Sequence, residues 1–349
     1  MIVALENIQL FIGANNDNEQ ALNLASLSNE SLFYQLDDGE QVLASFCQLE
    51  ESKKNNNKIE RCTNLIKQLL AKLSVEEQNN LSDSAVFLLL PAFDKNEYDE
   101  SSADFDRFIH ALNKAFPQLF SHALSQCFPF GSAAFTIALK SAVSLLSSNT
   151  TSNIVLLAVD SLYDKMEKLA KDDKLISTKQ MGCIVPSEGA VLCRIMPSIT
   201  GLSIDTCLQS IVPEKQIKQG ISNLFSQGSA YLATQIVNTN EKTVDDNKEG
   251  TDKNSKPNIT SLYLPGNGSE EQQLWLEAYF YLSDNITSDT KVYQNTLYTG
   301  ELGSVTGLYN FLHIYNGYQN EWLTGISGQL EVSDALYQGF TLYSWTGKA

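Results

Sequence analysis

The run Asn153-Ile154-Val155-Leu156-Leu157-Ala158-Val159 constrains this chain more than any other stretch. An apolar run without polar alternation reads as a strand covered on both faces, so the fold must place material above and below it. The neighbouring segments supply that material. Ser125 to Phe130 is an extended approach ending in Gly131-Ser132, a small-residue pair suited to a tight turn and a helix N-cap. Ala133 to Leu146 then carries Phe135, Ala138, Leu139, Ala142, Leu145 and Leu146 at helical spacing. The run itself stops at Asp160-Ser161, which reads as the cap of a helix over Leu162 to Leu169, and Ser187-Glu188-Gly189-Ala190 leads into Val191-Leu192-Cys193-Arg194-Ile195. Strand, helix, strand, helix, strand is the grammar of an α/β protein with a parallel sheet.

Outside this stretch, Met1 to Phe11 reads as a first strand, while Gln20 to Gln48 mixes helical and extended signals. Leu65, Ile66, Leu69, Leu70 and Leu73 mark an amphipathic helix. Ala85 to Leu90 is a second buried strand, stopped by Pro91, and Asp104 to Phe116 is a helix. The spacing predicts a helix over Ile217 to Ile236, followed by a polar, charged insertion over 238–258 without apolar periodicity. Order returns with a strand over Ile259 to Leu264, a helix over Glu270 to Leu282 and a strand over Val292 to Leu297. A helix opens at Gly303-Ser304-Val305, and Trp322 to Val332 and Leu336 to Trp345 close the chain as a strand pair. The second half thus repeats the plan of the first.

With 349 residues, 43% hydrophobic and 19% charged, the chain can bury a large core as one α/β unit or as two or three domains. No apolar run is long enough to span a membrane, and the N-terminus lacks a basic region of signal-peptide type, so a cytoplasmic protein is expected. A net charge of −17 disfavours nucleic acid and anionic membrane as partners. Cys47, Cys62, Cys127, Cys183, Cys193 and Cys207 show neither zinc-ligand nor disulfide spacing and read as reduced, mostly buried thiols. No Cys/Asp/Glu ligand pattern surrounds His110, His122 or His313, and no phosphate-loop or dinucleotide fingerprint occurs, so no metal and no cofactor is expected. His110, inside the Asp104 to Phe116 helix, reads as a packing or surface residue.

Val159-Asp160-Ser161-Leu162 and Pro186-Ser187-Glu188-Gly189-Ala190-Val191 resemble two turns of the β-ketoacyl synthase branch of the thiolase superfamily. The likeness covers Gly131 to Arg194 and, more weakly, Leu262 to Gly307. It implies a duplicated αβαβα layered fold, with one half over 1–198 and the other over 199–349. It also implies that the turn before the Ala133 helix is the nucleophile elbow. The family's catalytic cysteine then falls on Ser132. Leu264-Pro265-Gly266-Asn267-Gly268-Ser269 resembles the first histidine turn with Asn267 at the histidine. Thr299-Gly300-Glu301-Leu302-Gly303-Ser304 resembles the second with Glu301 there. The family's glycine-rich loop near the C-terminus has no good counterpart, Gln338-Gly339-Phe340 being the nearest fragment.

A hydroxyl is a far weaker nucleophile than a thiolate and needs an adjacent base. Each replaced position also has a plain reading: Ser132 as helix cap, Asn267 as turn residue, Glu301 as a carboxylate satisfying a helix dipole, Cys127 as a packing thiol. The expectation is therefore a catalytically inactive relative that acts as a partner subunit or scaffold, of chain-length-factor type. It would pair with a copy of itself or with an active synthase through the strand near Leu119–Cys127. An adaptor of a secretion or effector-loading complex is one alternative. An acyltransferase with chemistry relocated to Ser132 or Cys127, with Glu301 and Asn267, is another.

Overall fold

The computed structural model describes residues 1–24, 32–36, 39–46, 57–93, 100–177, 184–242, 258–266, 270–333 and 336–347. Its strands are β1 (Ile2–Ile12), β2 (Leu32–Gln35), β3 (Gln41–Ala44), β4 (Ala85–Leu89), β5 (Gln126–Phe128) and β6 (Ile154–Ser161). They continue as β7 (Glu188–Pro197), β8 (Gly201–Ile211), β9 (Ile259–Tyr263), β10 (Lys291–Tyr293), β11 (Ile326–Val332) and β12 (Tyr337–Thr346). Ten of these join in the order β10-β9-β11-β12-β8-β1-β7-β6-β4-β5, while β2 and β3 form a separate hairpin.

That order is a repeat about its centre. From one end, β5 pairs parallel with β4, β4 parallel with β6, β6 antiparallel with β7, and β7 antiparallel with β1. From the other end, β10, β9, β11, β12 and β8 follow with the same sequence of pairings. The two sets meet where β1 and β8 share a short antiparallel ladder.

Two helices lie between the sets, Ala134–Ser147 and Thr306–Gln319, and their apolar residues form the central core. Lys58–Ala71 and Glu100–Ala115 cover the outer face of the first set. Ile217–Lys242 and Glu270–Ala278 cover the outer face of the second. The result is the duplicated αβαβα arrangement.

Strand alternation explains the apolar runs. Ile154, Leu156 and Ala158 of β6 enter the central core, whereas Val155, Leu157 and Val159 enter the outer one. β4 divides in the same way, with Phe87 and Leu89 inward and Val86 and Leu88 outward. A strand between two cores needs apolar residues at every position.

Several expectations need correction. The sheet is mixed: β7 runs antiparallel to β6 because the chain turns back at the same end, pairing Ser161 with Glu188. The helical segment between them, Met166–Lys171, is short and does not cross the sheet to reset the direction. β10 stops at Tyr293, and Thr296–Thr299 is a helical turn where strand was expected. The helix expected to end at Ile236 continues to Lys242, so the start of the 238–258 insertion is helical. Residues 243–257 lie outside the described residues, as does Asn267. No described helix is long and apolar enough to cross a membrane.

Candidate functional site

Both elbows are 3-10 turns opened by a glycine in the left-handed region. Gly131 has φ +56° and Gly303 has φ +57°, a conformation that costs glycine little and other residues much. The turns Gly131–Ala133 and Gly303–Val305 pack against each other at the centre of the molecule.

Ser132 does not cap its helix. No side chain caps either the 3-10 turn or the Ala134–Ser147 helix. The Ser132 hydroxyl instead donates to the carbonyl of Val332, at the end of β11, at 2.7 Å. The other elbow mirrors this: the Ser304 hydroxyl donates to the carbonyl of Val159, near the end of β6, at 3.0 Å. Each serine therefore ties its turn to the third strand from the outer end of the opposite repeat.

The backbone N–H groups of the two elbows are engaged in a parallel way. The Ser304 N–H donates to Asp160 Oδ2 at 3.0 Å, and the Thr136 N–H donates to Glu331 Oε2 at 3.0 Å. Asp160 brings a carboxylate of the opposite repeat to the positive end of a helix, where a negative charge is favoured, whereas the buried Glu331 carboxyl meets the third residue of the other helix. Asp160 is thus not the cap of the following helix. Its Oδ1 accepts from the Ser161 N–H at 2.8 Å and pairs with Lys58 Nζ at 3.0 Å. Burial pulls the Lys58 ammonium down, but the Asp160 and Asp164 carboxylates outweigh it and hold the group above its ordinary range. Beside this pair, Arg61 grips buried Glu188 with two hydrogen bonds and stacks over Tyr163, while the Ser161 hydroxyl donates to the same carboxylate.

Glu331 is a residue that sequence reasoning missed. It is fully inside, and burial pushes its carboxyl up to about 8 against the hydrogen bonds from Thr136 and Gln329. Gln329 Nε2 donates to Glu331 Oε1 at 2.8 Å and to the Gly307 carbonyl at 2.9 Å, and Tyr343 donates to Gln329. The network links β11 and β12 to both central helices.

Ser132 and Glu301 do come together, lining one cavity of about 190 Å³ with Lys58, Gly131, Asp160 and Glu331. Glu301 Oε1 accepts from the Gly303 N–H at 3.2 Å, the role expected of a carboxylate at a helix start. Cys127 is half-buried on β5 and not in the cavity lining, and burial pushes its thiol up to about 11. Among the described residues no histidine lines this cavity. His110 is exposed on its helix, the His122 Nδ1 accepts from the Leu124 N–H, and His313 bonds to Tyr263 in the central layer. Gln338, Gly339 and Phe340 lie within β12, not in a loop. The described cysteines are free thiols, and no group of potential metal ligands gathers among the described residues.

This architecture is the thiolase-like fold of the ketosynthases. No family model matches the sequence, and no curated protein matches it. Solved structures do. The ishigamide ketosynthase/chain length factor superposes with a TM-score of 0.64 at 10% identity, covering 99% of this chain and 100% of that one. The ketosynthase ApeO in complex with its chain length factor ApeC from Xenorhabdus doucetiae gives 0.63 at 10% identity, covering 99% and 98%. The AntDE:AntF complex, a type II PKS acyl-carrier protein with its ketosynthase bound to the hexaketide, gives 0.59 at 12% identity, covering 99% of each chain.

Proposed function

We propose that this protein is a non-condensing relative of the β-ketoacyl synthases that works as a partner subunit or scaffold, in the way a chain length factor accompanies its ketosynthase. The observation that carries the reading is the occupied elbow. The one proton of the Ser132 hydroxyl is committed to the Val332 carbonyl, and the N–H of Thr136, the third residue of the helix, is committed to Glu331. A serine nucleophile would need a base within hydrogen-bond reach, and among the described residues Ser132 has none. An alkoxide there would also face the Glu331 carboxyl in the same cavity. The equivalent bond made by Ser304 in the other repeat supports a structural role, since one arrangement then serves both elbows.

The reading takes 1–198 and 199–349 as the two halves of the duplicated unit. It places the partner at β5, the outermost strand of its end of the sheet, whose far edge pairs with no described strand. The partner is a second copy or an active synthase, and the setting is cytoplasmic.

Incubation with acetyl-CoA and malonyl-CoA followed by intact-protein mass spectrometry tests the chemistry. No covalent adduct is expected. An acyl adduct lost in Ser132→Ala would establish an acyltransferase instead. Native mass spectrometry tests the assembly, and a dimer lost in Cys127→Pro, which removes the β5 N–H that points away from β4, is the expected outcome. A protein that stays monomeric both alone and with a co-expressed ketosynthase would sink the partner reading.

A further inference from the structure

A second cavity, of about 720 Å³, lies away from the elbows, between the chain around Glu19–Leu22 and the end of the Thr306–Gln319 helix. Its volume is that of a small-molecule site. One wall is aromatic: Trp322 and His313 meet edge to face at 4.8 Å, and Tyr293 stands 6.2 Å from Trp322. Trp322 is 36% exposed, whereas His313 is only 3% exposed although its ring lines the cavity.

The protonation of His313 follows from its neighbour. Tyr263 is wholly buried, and its hydroxyl has a single partner, the Nδ1 of His313, at 2.8 Å. A buried hydroxyl proton needs an acceptor, so Tyr263 donates and Nδ1 accepts. Burial pushes the imidazole down to about 4, so near neutral pH the ring is uncharged and its one proton is on Nε2. Among the described residues that N–H has no acceptor. That N–H is reached only from the cavity, so a ligand there finds a fixed donor.

The rest of the lining narrows what meets it. Asn320 spends its amide N–H groups on Asn316 and leaves its carbonyl oxygen free, and Glu19 offers a carboxylate. Among the described residues no lysine or arginine lines the cavity to balance an anionic ligand. One inward N–H donor, the amides of Asn316 and Asn320, the Glu19 carboxylate and the part-exposed ring of Trp322 suit a ring with a C–H face and several hydroxyls. We propose that this cavity is a second ligand site, separate from the elbow cavity, that takes an uncharged polyhydroxylated ring of pyranose type, with a ring oxygen or hydroxyl on His313 Nε2 and the C–H face against Trp322. It stands apart from the non-condensing reading, because no elbow residue takes part.

Saturation-transfer difference NMR on the full chain tests it, with methyl β-D-glucopyranoside and N-acetylglucosamine as probes. Glucose 6-phosphate and tetramethylammonium serve as the anionic and cationic controls. Transfer to the ring C–H protons of at least one neutral probe is expected, with binding weakened about tenfold or more in Trp322→Ala, which deletes the stacking wall. Asn320→Trp, at an exposed position, fills the cavity mouth and should also abolish transfer while Ser132→Ala leaves it unchanged. Retained transfer in Trp322→Ala and Asn320→Trp would overturn the site. Absence of transfer to either neutral probe, or preference for a charged control, would overturn the ligand class.

Discussion

Replacing Glu331 by glutamine should remove a pH dependence that the wild-type protein carries. Burial raises the native carboxyl from its ordinary 4.5 to about 8. A carboxyl with a raised native value binds its proton more tightly when folded. Its contribution is therefore full below the ordinary value and is lost as pH rises toward the native one. Between pH 5 and pH 7 the unfolded chain ionises this group and the folded chain does not, which at about 1.4 kcal/mol per pH unit removes about 3 kcal/mol of stability. Glutamine cannot ionise. Its carbonyl can still accept from the Thr136 N–H, but its amide then faces Gln329 Nε2 and one hydrogen bond is lost, at about 1 kcal/mol independent of pH. His313 acts in the opposite sense at lower pH, because its depressed value makes the folded state resist protonation as the medium acidifies. That effect is common to both proteins and cancels in their difference. Thermal melts of wild type and Glu331→Gln at pH 5, 6 and 7 are the assay. The wild-type melting temperature should fall relative to the variant by about 6 °C across that range, at about 2 °C per kcal/mol for a chain of this size. Parallel curves would show that Glu331 ionises normally and that the buried network is misread.

Two further outcomes follow from the clasps and the ion pair. Ser132→Ala and Ser304→Ala should each cost about 1 kcal/mol, the usual effect of one lost hydrogen bond. A loss at only one of the two, measured by chemical denaturation, would break the symmetry of their roles. Lys58→Met leaves the buried Asp160 carboxylate without its ion-pair partner and should cost about 3 kcal/mol, whereas Lys58→Met with Asp160→Asn should recover much of it. A double variant as damaged as the sum of the single ones would remove the pair from the account.

The layers of the fold were legible because two-sided burial leaves an unmistakable pattern. β4 and β6 divide their side chains between two cores and so need apolar residues at every position. The elbow turns were legible as well, because only a small left-handed residue fits the entry, and glycine stands there in both repeats. Strand direction was not. β7 follows β6 after a helix, as a parallel strand would, and only the spatial return at Ser161 and Glu188 reverses it. Helix-like spacing in the connection does not say whether the helix crosses the sheet.

The bonds of the site were not legible. The expected capping role of Ser132 assumed that a serine at a helix start serves its own helix. Here the local N–H group is taken by a carboxyl from 195 residues away, and the hydroxyl is drawn to a carbonyl 200 residues away. Glu331 escaped notice for a related reason. In Ser327-Gly328-Gln329-Leu330-Glu331-Val332 polar and apolar residues alternate, which is the pattern of a strand with one wet face. Both faces of β11 are buried: Leu330 and Val332 enter the outer core, while Gln329 and Glu331 are satisfied by the central helices and by Tyr343. Alternation marks two unlike faces without saying that either meets water. When the inner face is polar, what compensates it is long-range hydrogen bonding, the part of a fold that local sequence encodes least. In this chain that bonding joins the two repeats at the elbows.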